Sequence, residues 1–257
     1  VDSALAPTWP NKEIVVVDDA STDGTRELLQ GYGSAIRLIL RETNSGICPV
    51  TRNQAARAAR GEYVAFLDSD DVWYPEKLAK QMAFMAAHPD VPMCHTLCNV
   101  IDERSRPVGV RHGAGAVPAT GWIFEPLLDH CWITISTVLA RRALFDAVGG
   151  FCEDRETGII GEDQDFFLRV ARAHPIGLVA EVLAGYRKTP AGISRNRWKS
   201  IPESQSFNEI LLARRQIWEG VVPRRRVVAA HSRACLANAA HWRGQGASRR
   251  ALFFCWR

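Results

Sequence analysis

The sequence predicts an α/β fold, a mostly parallel sheet flanked by helices, and three observations lead there. Apolar runs of strand length alternate with helical patterns from residue 14 to residue 88. Two of those runs end in clusters of acid, Asp18-Asp19 and Asp68-Ser69-Asp70-Asp71. The 257 residues, 47% hydrophobic and 23% charged, also suffice for one sizeable core with a helical segment appended.

Taken in order, Ile14-Val15-Val16-Val17 reads as a strand. Thr22 is expected to cap the helix that follows, over 25–32. A strand over 36–40 and a helix over 49–59 come next. The turn pair Arg60-Gly61 then leads into a strand over 63–67, and Pro75 opens a helix over 75–88. A further strand lies near 93–100, followed by an irregular Gly- and Pro-containing stretch, 106–121. Trp122–Leu128 reads as a short helix, Ile135–Ala140 as a strand, Glu162–Ala173 as an amphipathic helix and Ile176–Leu183 as a strand. From Glu203 onward the pattern is helical and separate in character, with a small-residue pattern suited to a helical hairpin over Cys235–Trp256. The division is residues 1–200 and a basic helical extension, 201–257.

Open α/β sheets bind ligands at the carboxyl ends of their strands, where both acid clusters fall. Asp68, Asp70 and Asp71 repel one another there unless a cation sits among them or some are protonated. An all-oxygen donor set points to Mg²⁺ or Mn²⁺. A solvated Asp-rich turn is the alternative for these residues taken alone.

Five motifs in order carry a resemblance to the family 2 glycosyltransferases, which have a nucleotide-sugar-binding GT-A (Rossmann-like) fold. They are Val17-Asp18-Asp19-Ala20-Ser21-Thr22-Asp23-Gly24-Thr25, Asn44-Ser45-Gly46 with Arg52-Asn53, Phe66-Leu67-Asp68-Ser69-Asp70-Asp71, Gly149-Gly150-Phe151, and Gly161-Glu162-Asp163-Gln164-Asp165-Phe166. The resemblance covers about residues 1–200. It implies transfer of a sugar from a nucleoside-diphosphate sugar to a hydroxyl of a saccharide or lipid-linked acceptor, in cell-surface polysaccharide or glycolipid synthesis. Asp18, Asp19, Ser21 and Arg52 stand at positions implied to contact the nucleotide. Asp68 would hold the ribose or support the metal, and Asp70 would bind Mn²⁺ or Mg²⁺. Asp163 matches the family's catalytic carboxylate; a single base opposite the leaving group implies one displacement with inversion.

Two departures from the family accompany the match. Residues 2–10 match the end of a helix that normally follows a first strand, so that strand is expected to be absent from these residues. Its place is between the strands at 14–17 and 63–67, which would be left with unpaired inner edges or would pair directly. The chain is therefore expected to be an internal piece of a longer reading frame, and an inactive remnant is one alternative. The second departure is Thr189, where relatives often carry a His that helps ligate metal or diphosphate. The basic run Arg195-Asn196-Arg197-Trp198-Lys199 that follows is either a lid over the diphosphate or an ordinary loop. A nucleotidyltransferase, the other alternative, calls for a Gly-rich triphosphate loop that the sequence lacks.

Charge is unevenly placed. From Gln205 to Arg257 ten arginines face only Glu209 and Glu219, a net of +8; the whole chain is +4, so residues 1–204 carry −4. Two readings stand for the basic part: helices with solvated faces, or a surface for peripheral contact with anionic lipid, at up to about 1 kcal/mol per basic residue. No nucleic-acid-binding motif accompanies the arginines. No run of eighteen apolar residues is present. The seven scattered cysteines make no zinc pattern and are expected to be reduced thiols of a cytoplasmic protein, at most peripheral at the inner face of the membrane.

Overall fold

The computed structural model describes residues 1–6, 8–110, 120–129, 131–154, 161–189, 211–212 and 214–244. The elements in chain order are α1 (Asp2–Leu5), β1 (Val15–Asp18), α2 (Thr25–Gln30), β2 (Arg37–Leu40), α3 (Cys48–Ala58), β3 (Tyr63–Ala65), β4 (Val72–Trp73), α4 (Lys77–Ala87), β5 (Met93–Ile101), β6 (Pro107–Val110), α5 (Phe124–Asp129), β7 (Leu139–Arg141), α6 (Arg142–Val148), α7 (Glu162–Ala171), β8 (Ile176–Arg187), α8 (Arg215–Trp218) and α9 (Arg224–Gly244). The basic run at 195–199 lies outside the described residues.

The strands form two sheets. β1 and β2 pair in parallel, from Val15 opposite Arg37 to Asp18 opposite Leu40. The second sheet runs β3-β7-β5-β8-β4, with β6 added to β5. Among the described residues β1 pairs only with β2 and β3 only with β7, so the inner edges of the strands at 14–17 and 63–67 carry no shared ladder. Side chains and loops hold the two sheets together instead. The Glu13 carboxylate accepts the N–H groups of Arg60 and Gly61, just ahead of β3, at 2.5 and 3.1 Å. Ile14 joins Ala65, Leu67, Trp73 and Ala184 in one apolar cluster.

The α/β class holds, but the pairing is mixed. Of the six pairings among the described residues, β1–β2 and β5–β8 are parallel and four are antiparallel. Chain geometry accounts for part of this: parallel neighbours need a crossover of roughly a dozen residues or more, and only Asp102–Arg106 separate β5 from β6. Strand periodicity also failed at Ile135–Ala140, where Ile135–Thr137 form a 3-10 turn before β7. The cap of α2 is Gly24, at φ +82°, in place of Thr22, with the Asp23 carboxylate receiving the Thr25 N–H at 3.2 Å and its hydroxyl at 2.6 Å.

The largest core cluster lies beneath α5, α6 and α7. Phe66, Phe145, Phe151 and Phe166 meet there with ring centroids 4.7–5.7 Å apart, contacts worth about 0.5–1.5 kcal/mol each beyond area burial. Leu211, Ile217, Trp218, Val222, Val227 and Ala230 are buried in the same cluster, so the described part of the basic extension shares its core with the preceding chain. On α4, Lys77 is fully buried; its Nζ donates to Gln81 Oε1 at 2.7 Å and stands 4.4 Å from the Trp73 ring. No described helix is long and apolar enough to cross a membrane.

The missing ladder has a measurable consequence. Amides of β1 turned away from β2, and those of β3 turned away from β7, should exchange with solvent about tenfold or more faster than those of Cys94 and His95, in the part of β5 paired on both sides. Protection at Val15, Val17, Tyr63 and Ala65, whose N–H groups face away from β2 and β7, equal to that of β5 would mean that the two sheets are joined in solution.

Candidate active site

Each motif ends in a side chain that another motif holds. At the end of β1, Asp18 is almost fully buried, and its Oδ2 accepts the Ser21 N–H at 3.1 Å and Arg26 Nε at 2.8 Å. Burial pushes its pKa up, but these hydrogen bonds outweigh burial and hold it below the ordinary Asp value. Asp19 is held differently: its oxygens accept the Ser45 N–H at 3.0 and 3.1 Å and the Ser45 hydroxyl at 2.6 Å, and pair with Arg41 at 2.8 Å. Asn44 Nδ2 donates to the Asp19 carbonyl at 2.7 Å. The Asn44-Ser45-Gly46 motif thus clasps Asp19, the second acid of the first pair. Between the acids and α2, Ala20 takes φ +61°, a left-handed conformation that costs a non-glycine residue about 1 kcal/mol or more.

The second acid cluster forms the turn between β3 and β4, with the Asp71 N–H bonded to the Asp68 carbonyl at 3.1 Å. Its three carboxylates have separate surroundings. Asp71 is buried, receiving the Ser136 hydroxyl at 2.6 Å and the Arg187 N–H at 2.9 Å, and so ties the turn to the end of β8. Burial, opposed by those two bonds and reinforced by Asp68 and Asp70, raises its carboxyl to about 6. Asp68 keeps a third of its side chain exposed, and Asp70 lies at the surface. The atoms packed around Asp70, and the charge of Asp68 beside it, raise its pKa as well. Ser136 also accepts the Asp68 N–H, at 3.1 Å.

α3 carries the connection to the last motif. Arg52 Nη2 pairs with Asp68 at 2.7 Å and Nη1 with Glu162, at the start of α7, at 3.0 Å, while its guanidinium lies 5.6 Å from the centre of the Phe151 ring. Only 13% of its side chain is exposed. Desolvation works against its charge, but the two carboxylates outweigh it and keep the guanidinium protonated. Next to it, Asn53 behaves as a strand partner for the Gly149-Gly150-Phe151 turn: Oδ1 accepts the Phe151 N–H at 2.9 Å and Nδ2 donates to the Phe151 carbonyl at 2.8 Å. Gly150 has φ +68°, and a Cβ there would stand 2.6 Å from Asn53 Oδ1, so only glycine fits.

The first turn of α7 holds three acids, a placement favoured by the helix dipole. Glu162 is committed to Arg52. Asp165 is fully buried and paired with Arg169 at 2.7 Å. Asp163 is half-buried, with Oδ1 accepting the neighbouring Gln164 N–H at 2.8 Å. Of the three, Asp163 has no arginine partner among the described residues.

Asp68 and Glu162 are therefore brought to one guanidinium, whereas Asp18 is buried and held by Ser21 and Arg26. Sequence reasoning missed Ser136, Arg187 and Arg41, which hold the acids from 22 to 116 residues away and carry no local pattern. No group of three or more carboxylate, imidazole or thiol side chains among the described residues is arranged to hold a metal ion by itself. A surface carboxylate, Asp70, whose proton affinity is raised by crowding and by Asp68, suits a cation whose other ligands come from a bound diphosphate.

The family model for glycosyl transferase family 2 matches residues 1–134, just over half of the chain, and the chain belongs to that family. TuaG of Bacillus subtilis (strain 168), provisionally named a teichuronic acid biosynthesis glycosyltransferase, is 50% identical over 88 residues, 33% of this chain and 34% of that protein. EpsE of the same strain, provisionally named a glycosyltransferase, is 31% identical over 175 residues, 66% of this chain and 59% of that one. The UDP-Glc:alpha-D-GlcNAc-diphosphoundecaprenol beta-1,3-glucosyltransferase WfgD of Escherichia coli is 28% identical over 205 residues, 78% of this chain and 75% of its own. The chain thus spans between about a third and three fifths of the length of TuaG and EpsE. Among solved structures, S. aureus TarS 1-349 in complex with UDP-GlcNAc matches with a TM-score of 0.64 at 22% identity, over 94% of this chain and 67% of that one. The mannosyltransferase PcManGT from Pyrobaculum calidifontis, in complex with GDP-Man and Mn²⁺, matches with a TM-score of 0.56 at 20% identity, over 99% and 79%. At these identities the likeness is one of fold, and the fold is GT-A.

Arg52→Met keeps the side-chain length and removes the fork, leaving Asp68 and Glu162 without a shared cation. Breaking a buried pair costs about 3–5 kcal/mol; with Asp68 one-third exposed, a loss of about 2–3 kcal/mol in urea denaturation is expected. The mostly exposed Arg57, paired with Glu153 at 3.3 Å, serves as the control, and Arg57→Met should cost under about 1 kcal/mol. Equal losses would show that Arg52 does not join the two motifs.

Proposed function

We propose that this chain transfers a sugar from a nucleoside-diphosphate sugar to a hydroxyl of a saccharide or lipid-linked acceptor, with inversion, in the synthesis of a cell-surface polysaccharide or glycolipid. The observation that supports this reading most is the Arg52 bridge, which holds the Asp68–Asp71 turn and the first turn of α7 against one guanidinium. A donor site and a base on opposite sides of a reacting carbon need that proximity.

In this reading Asp163 is the base. It accepts the acceptor's O–H proton as that oxygen attacks the anomeric carbon, and the bond from that carbon to the diphosphate oxygen breaks on the opposite face. Asp163 is the first-turn acid that no arginine among the described residues claims, which favours it over Glu162 and Asp165. Asp70, with Asp68 beside it, would hold Mn²⁺ or Mg²⁺, which when bound neutralises charge growing on the leaving diphosphate. Asp19, Ser21 and Arg52 line the donor side, and Asp18 supports it from beneath through Ser21. Residues 1–200 form the transferase domain and 201–257 the basic extension. Peripheral contact of that extension with anionic lipid would draw on Arg224 and Arg225, which are exposed at the start of α9.

Two measurements test the assignment. By calorimetry a nucleoside diphosphate should bind far more tightly with Mn²⁺ or Mg²⁺ than with chelator, and Asp70→Asn should remove most of the difference; equal affinities would sink the metal assignment. With a donor and acceptor in hand, Asp163→Asn should lower turnover by about 10²-fold or more while donor binding stays within about twofold. Near-normal turnover in Asp163→Asn, together with loss in Glu162→Gln or Asp165→Asn, would move the base to another carboxylate.

A further inference from the structure

One arginine of the basic C-terminal part reaches residues 152–154, shortly after α6. Arg214 Nη1 and Nη2 each lie 3.3 Å from Cys152 Sγ. Nη2 also pairs with Asp154, and Nη1 stands 3.5 Å from Asp165 Oδ1. The other oxygen of Asp165 pairs with Arg169 at 2.7 Å, and Arg169 donates onward to the carbonyls of Val148 and Gly150 at 2.6 and 2.7 Å. Two guanidiniums thus share one fully buried carboxylate. Between them they grip both sides of the turn that carries Gly149, Gly150 and Phe151. Asp165 lies two residues beyond Asp163, on the inward side of the same helical turn. A buried carboxylate fixed by two cations holds its helix in a single orientation, because any rotation leaves a charge unpaired in the interior.

We propose that Arg214 is a positioning residue of the transfer site: by clamping Asp165 and the Cys152–Asp154 turn, the C-terminal extension sets the orientation of the helix turn that presents Asp163. This rests on the reading of Asp163 as the base. The extension's other anchor is peripheral to it. Arg226 pairs with Asp129 at 2.7 Å and with Glu125 at 3.3 Å, both on α5.

The test uses the full chain with Arg214→Ala, Arg214→Lys and Arg226→Ala, and its first readout needs no substrate. Amide exchange over residues 149–154 and 161–171, and alkylation of Cys152 by N-ethylmaleimide, are followed peptide by peptide. Arg214→Ala should raise both by about fivefold or more, through local opening. Arg214→Lys keeps the charge but loses the fork and should fall between; it decides the matter where the alanine variant does not fold. Arg226→Ala should leave both at the wild-type rate. Unchanged exchange and alkylation in the Arg214 variants, or the same rise in Arg226→Ala, would overturn the clamp. The second readout is transfer kinetics, where Arg214→Ala should lower kcat about tenfold with donor KM within about twofold. A proportional rise in KM would contradict a positioning role directed at the base. A wild-type chain that transfers no sugar would count against the proposed function, and the exchange and alkylation result would still judge the clamp.

Discussion

Carboxylates gathered at the open ends of strands repel one another, and the architecture of this chain follows from how each is answered. Asp18 is met by Ser21 and Arg26, Asp19 by Ser45 and Arg41, Asp68 and Glu162 by Arg52, Asp71 by Ser136 and Arg187, and Asp165 by Arg169 and Arg214. Most of these partners come from a different element, so neutralising the acids and assembling the fold are one process. Asp70 and Asp163 remain without an ion-pair partner among the described residues, and the proposed metal ligand and the proposed base are these two.

The elements were legible where local composition decides them. The apolar run before Asp68 and the β-branched run before Asp18 are strands, and the acids that end them lie at the loops, because side-chain burial is written into consecutive residues. Pairing partners were not legible. Arg52 reads as an exposed helix arginine from its neighbours, and only the approach of Glu162, 110 residues away, makes it a buried bridge. Choice among Glu162, Asp163 and Asp165 rested on the family motif, since spacing along a helix does not tell which acid an arginine will claim. β4, two residues long, and β6, with every residue exposed, carry too little apolar signal to be read at all.

The uneven charge has its account in the same terms. The net −4 of residues 1–204 and the +8 of the remainder meet within the molecule. Arg226 and Arg233 converge on Asp129, and Arg214 enters between Asp154 and Asp165. Burial acts on Asp129 upward, but the two arginines outweigh it and hold its pKa below the usual range. Three of the ten arginines are therefore spent on docking, with Trp218 and Val227 carried into the core by the same approach.

Lys77 gives the fold an alkaline preference. No described carboxylate pairs with it, and burial brings its amine from 10.5 to about 7, although the face of Trp73 favours the charged form. Between those two values the unfolded chain holds a proton that the native chain releases, so native stability grows as pH rises from about 7 toward 10.5 and is flat with respect to this group below 7. The amine sits on α4, whose neighbour Gln81 reaches the Thr137 carbonyl at 2.9 Å, one residue from the Ser136 that steadies Asp71. Proton uptake in the interior would thus act, through Gln81, on the support beneath the acid turn.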